Sequence, residues 1–298
     1  MPVISPNAFA PPAAKIAQAR VTQGRATQGQ VPPTLREQVR RLERAHSLQQ
    51  AGRLAVPTGL AAIDTLLPEG GLLTGALHEI EAGPTPSGRI APHDGAALGF
   101  AAHLLGRFGQ DRPAGTILWC RQPSGVFDAP PYAPALAGWV DPARLLMVTA
   151  RREEDLFWAM EEGLRTPGIA AVLGETRAAD LTAGRRLSLA AEKTGVPALL
   201  LRSQPAPPQS VCTTRWRVAS APSPAAAGSE DPVTVQWRLE LRRNRFGTPS
   251  TEEMPSWLVE WNDETHHLAV VPQARHRSAG PAAAGLGWGD PGRQRLVG

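Results

Sequence analysis

Lysine, cysteine and tyrosine are scarce in this 298-residue chain, and long apolar runs are missing. The two cysteines, Cys120 and Cys212, are far apart, which excludes a disulfide framework and the paired spacing of a zinc site. Without a run of about 18 apolar residues, no ordinary transmembrane helix is predicted. Residues 1–14 lack a basic start followed by an apolar run, which argues against a signal peptide and predicts a cytoplasmic protein.

The positive charge lies at the two ends of the chain. Residues 1–60 carry a net charge of +6, residues 61–274 carry −5, and residues 275–298 carry +3, which together give +4. Basic ends can contact nucleic acid through phosphates, or they can be solvated tails with no partner. Because 29 of the 31 basic residues are arginine, an arginine at a usual lysine position is weaker evidence than normal.

Composition and periodicity divide the chain into four segments. Residues 1–33 and 273–298 are rich in Pro, Gly and Ala and are predicted to be disordered. Residues 34–52 are predicted to form a helix over 34–49, with Thr34 and Glu37 as a capping box. The narrow apolar stripe of this helix could pack either against its own domain or against a partner protein. Residues 53–272 are predicted to form the main domain.

Between residues 54 and 202 the pattern alternates apolar strands with amphipathic helices. This order predicts a mostly parallel sheet covered by helices on both faces. The predicted strands are 76–80, 116–120, 145–149, 169–173 and 196–202, and the predicted helices are 95–108, 132–139, 152–164 and 181–193.

The pattern changes after residue 202 to strict apolar–polar alternation. Residues 233–242 alternate throughout, 257–261 repeat the rhythm, and 215–220 and 267–271 are shorter candidates. Period two indicates strands with one buried face. We therefore expect antiparallel strands that extend the parallel sheet.

One loop has the spacing of a phosphate-binding P-loop. Gly83, Ser87, Gly88 and Arg89 follow an apolar strand and precede a helix, as the motif G-x-x-x-x-G-K-[ST] requires. Arg89 replaces the motif's lysine, and Ile90 offers no hydroxyl to Mg²⁺. There are three alternatives for this loop: it hydrolyses nucleotide, it binds nucleotide weakly, or it is a structural turn that retains the P-loop spacing without binding nucleotide. ATP and Mg²⁺ are doubtful cofactors, so we predict none.

Carboxylates in the right places for nucleotide chemistry are few. The strand 116–120 is followed by Arg121 and Gln122, and only Glu175, after the strand 169–173, could serve as a Walker B acid. It could equally cap a helix or lie on the surface. The acid-rich helix 152–164 is interpreted as a solvated face, and neither it nor His266–His267 predicts a metal site.

Several ordered motifs resemble one family. The segment PTGL, Asp64 and GGLLTGALHEIEAGPTPSG resembles the start of the RecA core, and later segments continue the match over about residues 34–265. The whole looks most similar to ImuA, the RecA-like family of bacterial mutagenesis cassettes. The later segments are ILWCRQ, ARREEDLFWAMEEGLRTPGIAAVLGE, DLTAGRRLSLAAE, TRWRVA, WRLELRRNR and SWLVEWND.

The resemblance implies a RecA-like fold and a role in the SOS response. It implies error-prone translesion synthesis alongside an ImuB-like protein, an error-prone polymerase and RecA, by contacts rather than chemistry. A DNA-stimulated ATPase that remodels DNA–protein complexes is the main alternative. A cell-division inhibitor, and a RecA regulator acting through residues 34–49, are the others.

Two arginine clusters next to aromatic residues are candidate contacts for single-stranded DNA. Arg215 and Arg217 flank a tryptophan, and Arg242, Arg243 and Arg245 follow a predicted strand. Guanidinium groups bind phosphates, and neighbouring aromatic rings stack on bases. The alternative is that the tryptophans are core residues and the arginines solvate the edge of a sheet.

Overall fold

The structure, a computed structural model, describes residues 54–84, 95–123, 130–177, 179–204, 210–222, 235–246, 255–262 and 265–272. The predicted helix 34–49 and the predicted disordered segments 1–33 and 273–298 lie outside these ranges, so the domain boundaries stay a prediction. Within the described ranges, no helix has the length and apolar character needed to cross a membrane.

The described elements alternate as the sequence predicts. In chain order they are β1 Ala55–Val56, α1 Ala61–Asp64, a 3-10 turn at Pro68–Gly70, β2 Leu72–Leu73, β3 Leu77–Ala82, α2 Gly95–Asp111, β4 Thr116–Arg121, α3 Ala133–Leu136, a 3-10 turn at Pro142–Arg144, β5 Leu145–Thr149, α4 Glu153–Arg165, β6 Ile169–Thr176, α5 Leu181–Thr194, β7 Ala198–Arg202, β8 Thr214–Ala221, β9 Val235–Asn244, β10 Ser256–Asn262 and β11 His267–Val270.

Nine strands form one sheet in the order β11-β10-β9-β8-β3-β7-β6-β4-β5. From β8 to β5 every pair is parallel, whereas β8, β9, β10 and β11 pair antiparallel. Strands β1 and β2 form a separate antiparallel pair. The predicted α/β fold, a RecA-like core extended by antiparallel strands, is confirmed.

Helices cover both faces of the parallel part because its strands are apolar on both sides. Along β4, Trp119 packs into the core on the α2 side, and Leu118 packs into the core beneath α4 and α5. Helix α5 is capped at its amino end by Asp180, whose carboxylate accepts from the Ala183 N–H at 2.6 Å, and at its carboxyl end by Gly195 with a φ of 71°. These are the start and stop signals that a helix uses.

The antiparallel strands continue the α2-side core. Trp237 and Trp261 are buried there, and Trp139 stacks on Trp261 with ring centroids 3.5 Å apart. The interpretation of Trp216 and Trp237 as core residues is therefore confirmed, since they are 0% and 5% exposed. The helix predicted over 132–139 is shorter, Ala133–Leu136, and the chain after it carries Trp139 onto the stack.

A buried histidine fastens β3 to β8. The His78 Nε2 lies 2.9 Å from the Leu73 carbonyl, which can only accept, so Nε2 carries the hydrogen. The Thr214 hydroxyl then donates to Nδ1 at 2.8 Å and accepts from the Trp216 indole N–H at 3.0 Å. Because burial lowers the pKa of His78 to about 4, the ring is neutral at pH 7.

Candidate nucleotide and nucleic-acid sites

The carboxyl ends of the parallel strands bring the nucleotide-site candidates to one edge of the sheet. Gly83 follows β3, Arg121 ends β4, and Glu175 lies near the end of β6. Ligands of parallel α/β sheets bind at this edge. Ser87, Gly88 and Arg89 lie outside the described residues, so phosphate binding by the loop stays a prediction.

Gly83 is needed for close packing against β8. Its N–H donates to the Val218 carbonyl at 2.7 Å. A Cβ atom at this position would lie 2.9 Å from the Ala219 Cβ and 3.1 Å from the Arg217 Cγ. A larger residue would push the two strands apart, so strand contact alone accounts for a glycine at this position of the motif.

Glu175 is engaged by its neighbour on β4. The Trp119 indole N–H donates to Glu175 Oε1 at 2.5 Å, and Arg121 is the register partner of Glu175 across the two strands. A Mg²⁺–nucleotide complex takes free carboxylate or hydroxyl oxygens as ligands. Among the described residues at this edge, the Arg121 side chain offers no oxygen to such a complex, and one of the two Glu175 oxygens already accepts a hydrogen bond. In the same part of the chain, no three His, Cys, Asp or Glu residues are placed to hold a metal.

Arg215 belongs to a buried ionic cluster centred on Glu79 of β3. Its Nε donates to Glu79 Oε2 at 2.9 Å, and the Ser210 hydroxyl donates to Oε1 at 2.9 Å. Arg202 Nη1 lies 3.8 Å from the same carboxylate, and burial lowers the pKa of Arg202. The Arg215 side chain is only 10% exposed, which leaves little of it for a phosphate.

Arg217 repeats this pairing one step further along the strands. Its Nε and Nη2 lie 3.1 and 3.0 Å from Glu81 Oε1, and its Nη1 lies 3.9 Å from Glu240 Oε2. These carboxylates are not among the residues predicted from the sequence. Two glutamates, spaced by two within a fully buried strand, were the signal that oppositely charged partners face them.

The arginines around the end of β9 are more accessible. Arg242 is 34% exposed and 3.6 Å from Glu240, and Arg243 Nε donates to the Cys212 carbonyl at 3.1 Å. Arg245 is exposed, and its guanidinium lies 5.4 Å from the centre of the Phe246 ring. The structure thus separates the five predicted arginines into an inner set, 215 and 217, which pair with the glutamates of β3, and an outer set, 242, 243 and 245.

Helix α4 departs from the interpretation as a solvated acid face at two residues. Glu153 is half-buried and accepts from the Thr176 hydroxyl at 2.7 Å. Glu161 is buried and bonds both Arg165 on its own helix and Arg186 on α5. Glu161 therefore links α4 to α5. Spacing within α4 predicts only the Arg165 partner at i,i+4 and cannot predict Arg186 on another helix. Trp158, on the outer side of α4, is 62% exposed.

Comparison with curated proteins finds similarity to Protein ImuA from two strains of Caulobacter vibrioides. Each is 34% identical to this chain over an alignment of 245 positions, which covers 78% of this chain and 94% of the Caulobacter protein. No protein-family model matches the chain. The similarity therefore extends along nearly the whole length of the Caulobacter protein.

Proposed function

The chain belongs to the ImuA family, and on that premise we propose a non-catalytic role in SOS-induced error-prone translesion synthesis. In this role a RecA-like fold serves as a scaffold for protein contacts. Its partners are an ImuB-like protein, RecA and an error-prone polymerase. The proposal rests above all on one observation: nine strands join in one sheet with a RecA-like parallel core, whereas the described residues Arg121 and Glu175 at its carboxyl edge are poorly suited to nucleotide chemistry.

Three features of that edge support contacts over catalysis. Strand β4 ends in Arg121 where an acid would be needed. One of the two Glu175 carboxylate oxygens, Oε1, already accepts the Trp119 N–H. In the sequence, Ile90 stands where the motif's metal-binding hydroxyl belongs. A DNA-stimulated ATPase would have to work without these groups.

We expect a gene-deletion strain to lose damage-induced mutation at an unchanged growth rate, and an Arg89→Ala variant to restore that mutation fully. The variant removes the cation that would neutralise the terminal phosphates. The measurement is mutation frequency after ultraviolet exposure, paired with Mg²⁺-ATP turnover of the purified full chain with and without single-stranded DNA. We expect no turnover above background.

Each alternative predicts a different result in these assays. An active ATPase predicts turnover that Arg89→Ala abolishes, together with failed complementation. A cell-division inhibitor predicts filamentous cells on overexpression and no change in mutation frequency on deletion. If the protein regulates RecA through residues 34–49, a chain that lacks residues 1–49 should lose RecA binding. Unchanged mutation in the deletion strain would overturn the proposed role.

A second contact, with single-stranded DNA, is proposed for the outer arginines. We expect the double variant Arg242→Ala/Arg245→Ala to bind an oligonucleotide about tenfold more weakly, with a salt slope lowered by about 1.4, the contribution of two single-strand phosphates. Arg238→Ala is the matched control, since Arg238 is also exposed on β9 but lies away from the strand end. Equal losses in control and double variant would contradict a defined contact.

A further inference from the structure

Strand β5 is the last strand at one edge of the described sheet. Within the described part of the chain it pairs only with β4, in an unbroken register of 117–121 with 145–149. Each of its five residues is half-buried or exposed, and Leu146 is 52% exposed. The sequence LLMVT contains no charge and no proline.

An edge of this kind is unusual in a soluble protein. Edge strands usually carry charged residues, prolines or bulges that prevent pairing with another chain. Strand β5 has none of these within residues 145–149. Its free backbone groups and apolar side chains together fit one kind of occupant, another apolar strand.

The direction of the backbone hydrogen bonds shows which residues are free to pair. The Ala150 N–H donates to the Arg121 carbonyl at 2.9 Å, so residue 150 directs its backbone groups toward β4. This direction alternates along a strand. Thr149, Met147 and Leu145 therefore direct theirs away from the sheet.

We propose that β5 pairs antiparallel with β5 of a second copy of this chain, about a two-fold axis through Met147. The outward residues are placed symmetrically around Met147, so each finds an outward residue opposite it. Met147 faces Met147, and Leu145 faces Thr149. Between them Leu146 faces Val148, which covers the exposed leucine with an apolar side chain.

The flanking charges favour this antiparallel arrangement. Exposed Asp141 precedes β5, and exposed Arg151 follows it. Antiparallel pairing places the carboxyl end of one strand beside the amino end of the other, so Arg151 of each copy approaches Asp141 of the second copy. The result is a sheet that continues across two chains with a self-complementary contact, as two-fold symmetry requires.

Cysteine crosslinking of the full-length chain tests the register. In a hydrogen-bonded antiparallel pair the opposing Cα atoms are about 5.5 Å apart, within the range of a disulfide. We expect a Met147→Cys variant to form a disulfide-linked dimer on mild oxidation. The native thiols give little background, because burial raises the pKa of Cys120 to about 12 and of Cys212 to about 11.

Leu146→Cys is the matched control, since its partner would be Val148 and no thiol would lie opposite. Analytical sedimentation of the wild-type chain is the second measurement, and we expect it to show a dimer. We expect Leu146→Lys to raise the dimer dissociation constant on the order of 100-fold. An unchanged circular dichroism spectrum would show that this variant is still folded. A wild-type monomer throughout the micromolar range would overturn the proposal. So would equal crosslinking at positions 146 and 147, or an undiminished dimer in Leu146→Lys.

Discussion

Replacing Glu79 with alanine is expected to lower the free energy of unfolding by about 3–5 kcal/mol. The carboxylate lies on β3, is 4% exposed, and faces Arg215 and Arg202, whose side chains are 10% and 3% exposed. Removing one member of a buried ionic cluster leaves the remaining charges without compensation in a medium of low polarity. Urea denaturation followed by tryptophan fluorescence measures the loss.

Glu81→Ala is the natural comparison for this prediction. Glu81 has the same burial on the same strand, but its partner Arg217 is 29% exposed and can take up water when the carboxylate is lost. We therefore expect a smaller loss of about 2 kcal/mol for Glu81→Ala, on the scale of a hydrogen bond to a charged group. Equal losses at the two positions would show that burial of the arginine partners does not set the cost.

Gly106→Ala is expected to destabilise the fold by about 3 kcal/mol, although alanine is the better helix former. A Cβ atom on Gly106 of α2 would lie 2.1 Å from the Trp139 carbonyl oxygen. The obstacle is backbone, and Trp139 is held by stacking on Trp261, so neither side can yield cheaply. Overpacking of this kind outweighs the gain of about 1 kcal/mol from helix propensity.

Gly184→Ala separates helix propensity from the clash. Gly184 lies inside α5, and a Cβ atom there would meet only Val211 Cγ2 at 3.4 Å, an ordinary contact. We expect this variant to be stabilised by up to about 1 kcal/mol. Thermal unfolding of both variants beside wild type checks the prediction, and two shifts of the same sign would count against it.

Local pattern was sufficient where an element's own residues decide its structure. The bounds of β5 are the ones predicted, 145–149, and α5 was predicted over 181–193 and ends one residue later. In both cases the apolar period and the flanking residues carry the information. The antiparallel strands were found in the same way, because one face of each is buried and the other is not.

Local pattern failed where a distant residue decides the outcome. The strand predicted over 76–80 continues through Glu81 to Ala82. A glutamate normally ends an apolar strand, but here Arg217, 136 residues away in the chain, neutralises it. The same distance hid the Glu79–Arg215 pair, so an arginine that suggested DNA contact lies buried. Without the strand order, no spacing rule could have joined them.

The order of strands also sets how long β3 waits for its neighbouring strands while the protein is being synthesised. β3 lies between β7 and β8, and the first residue of β7, Ala198, comes 116 residues after the last residue of β3, Ala82. At 5–20 residues per second a ribosome needs about 6–23 s to make that stretch. For this time the nascent chain carries β3 without either neighbouring strand, and Glu79 and Glu81 remain in water until their arginine partners have been made.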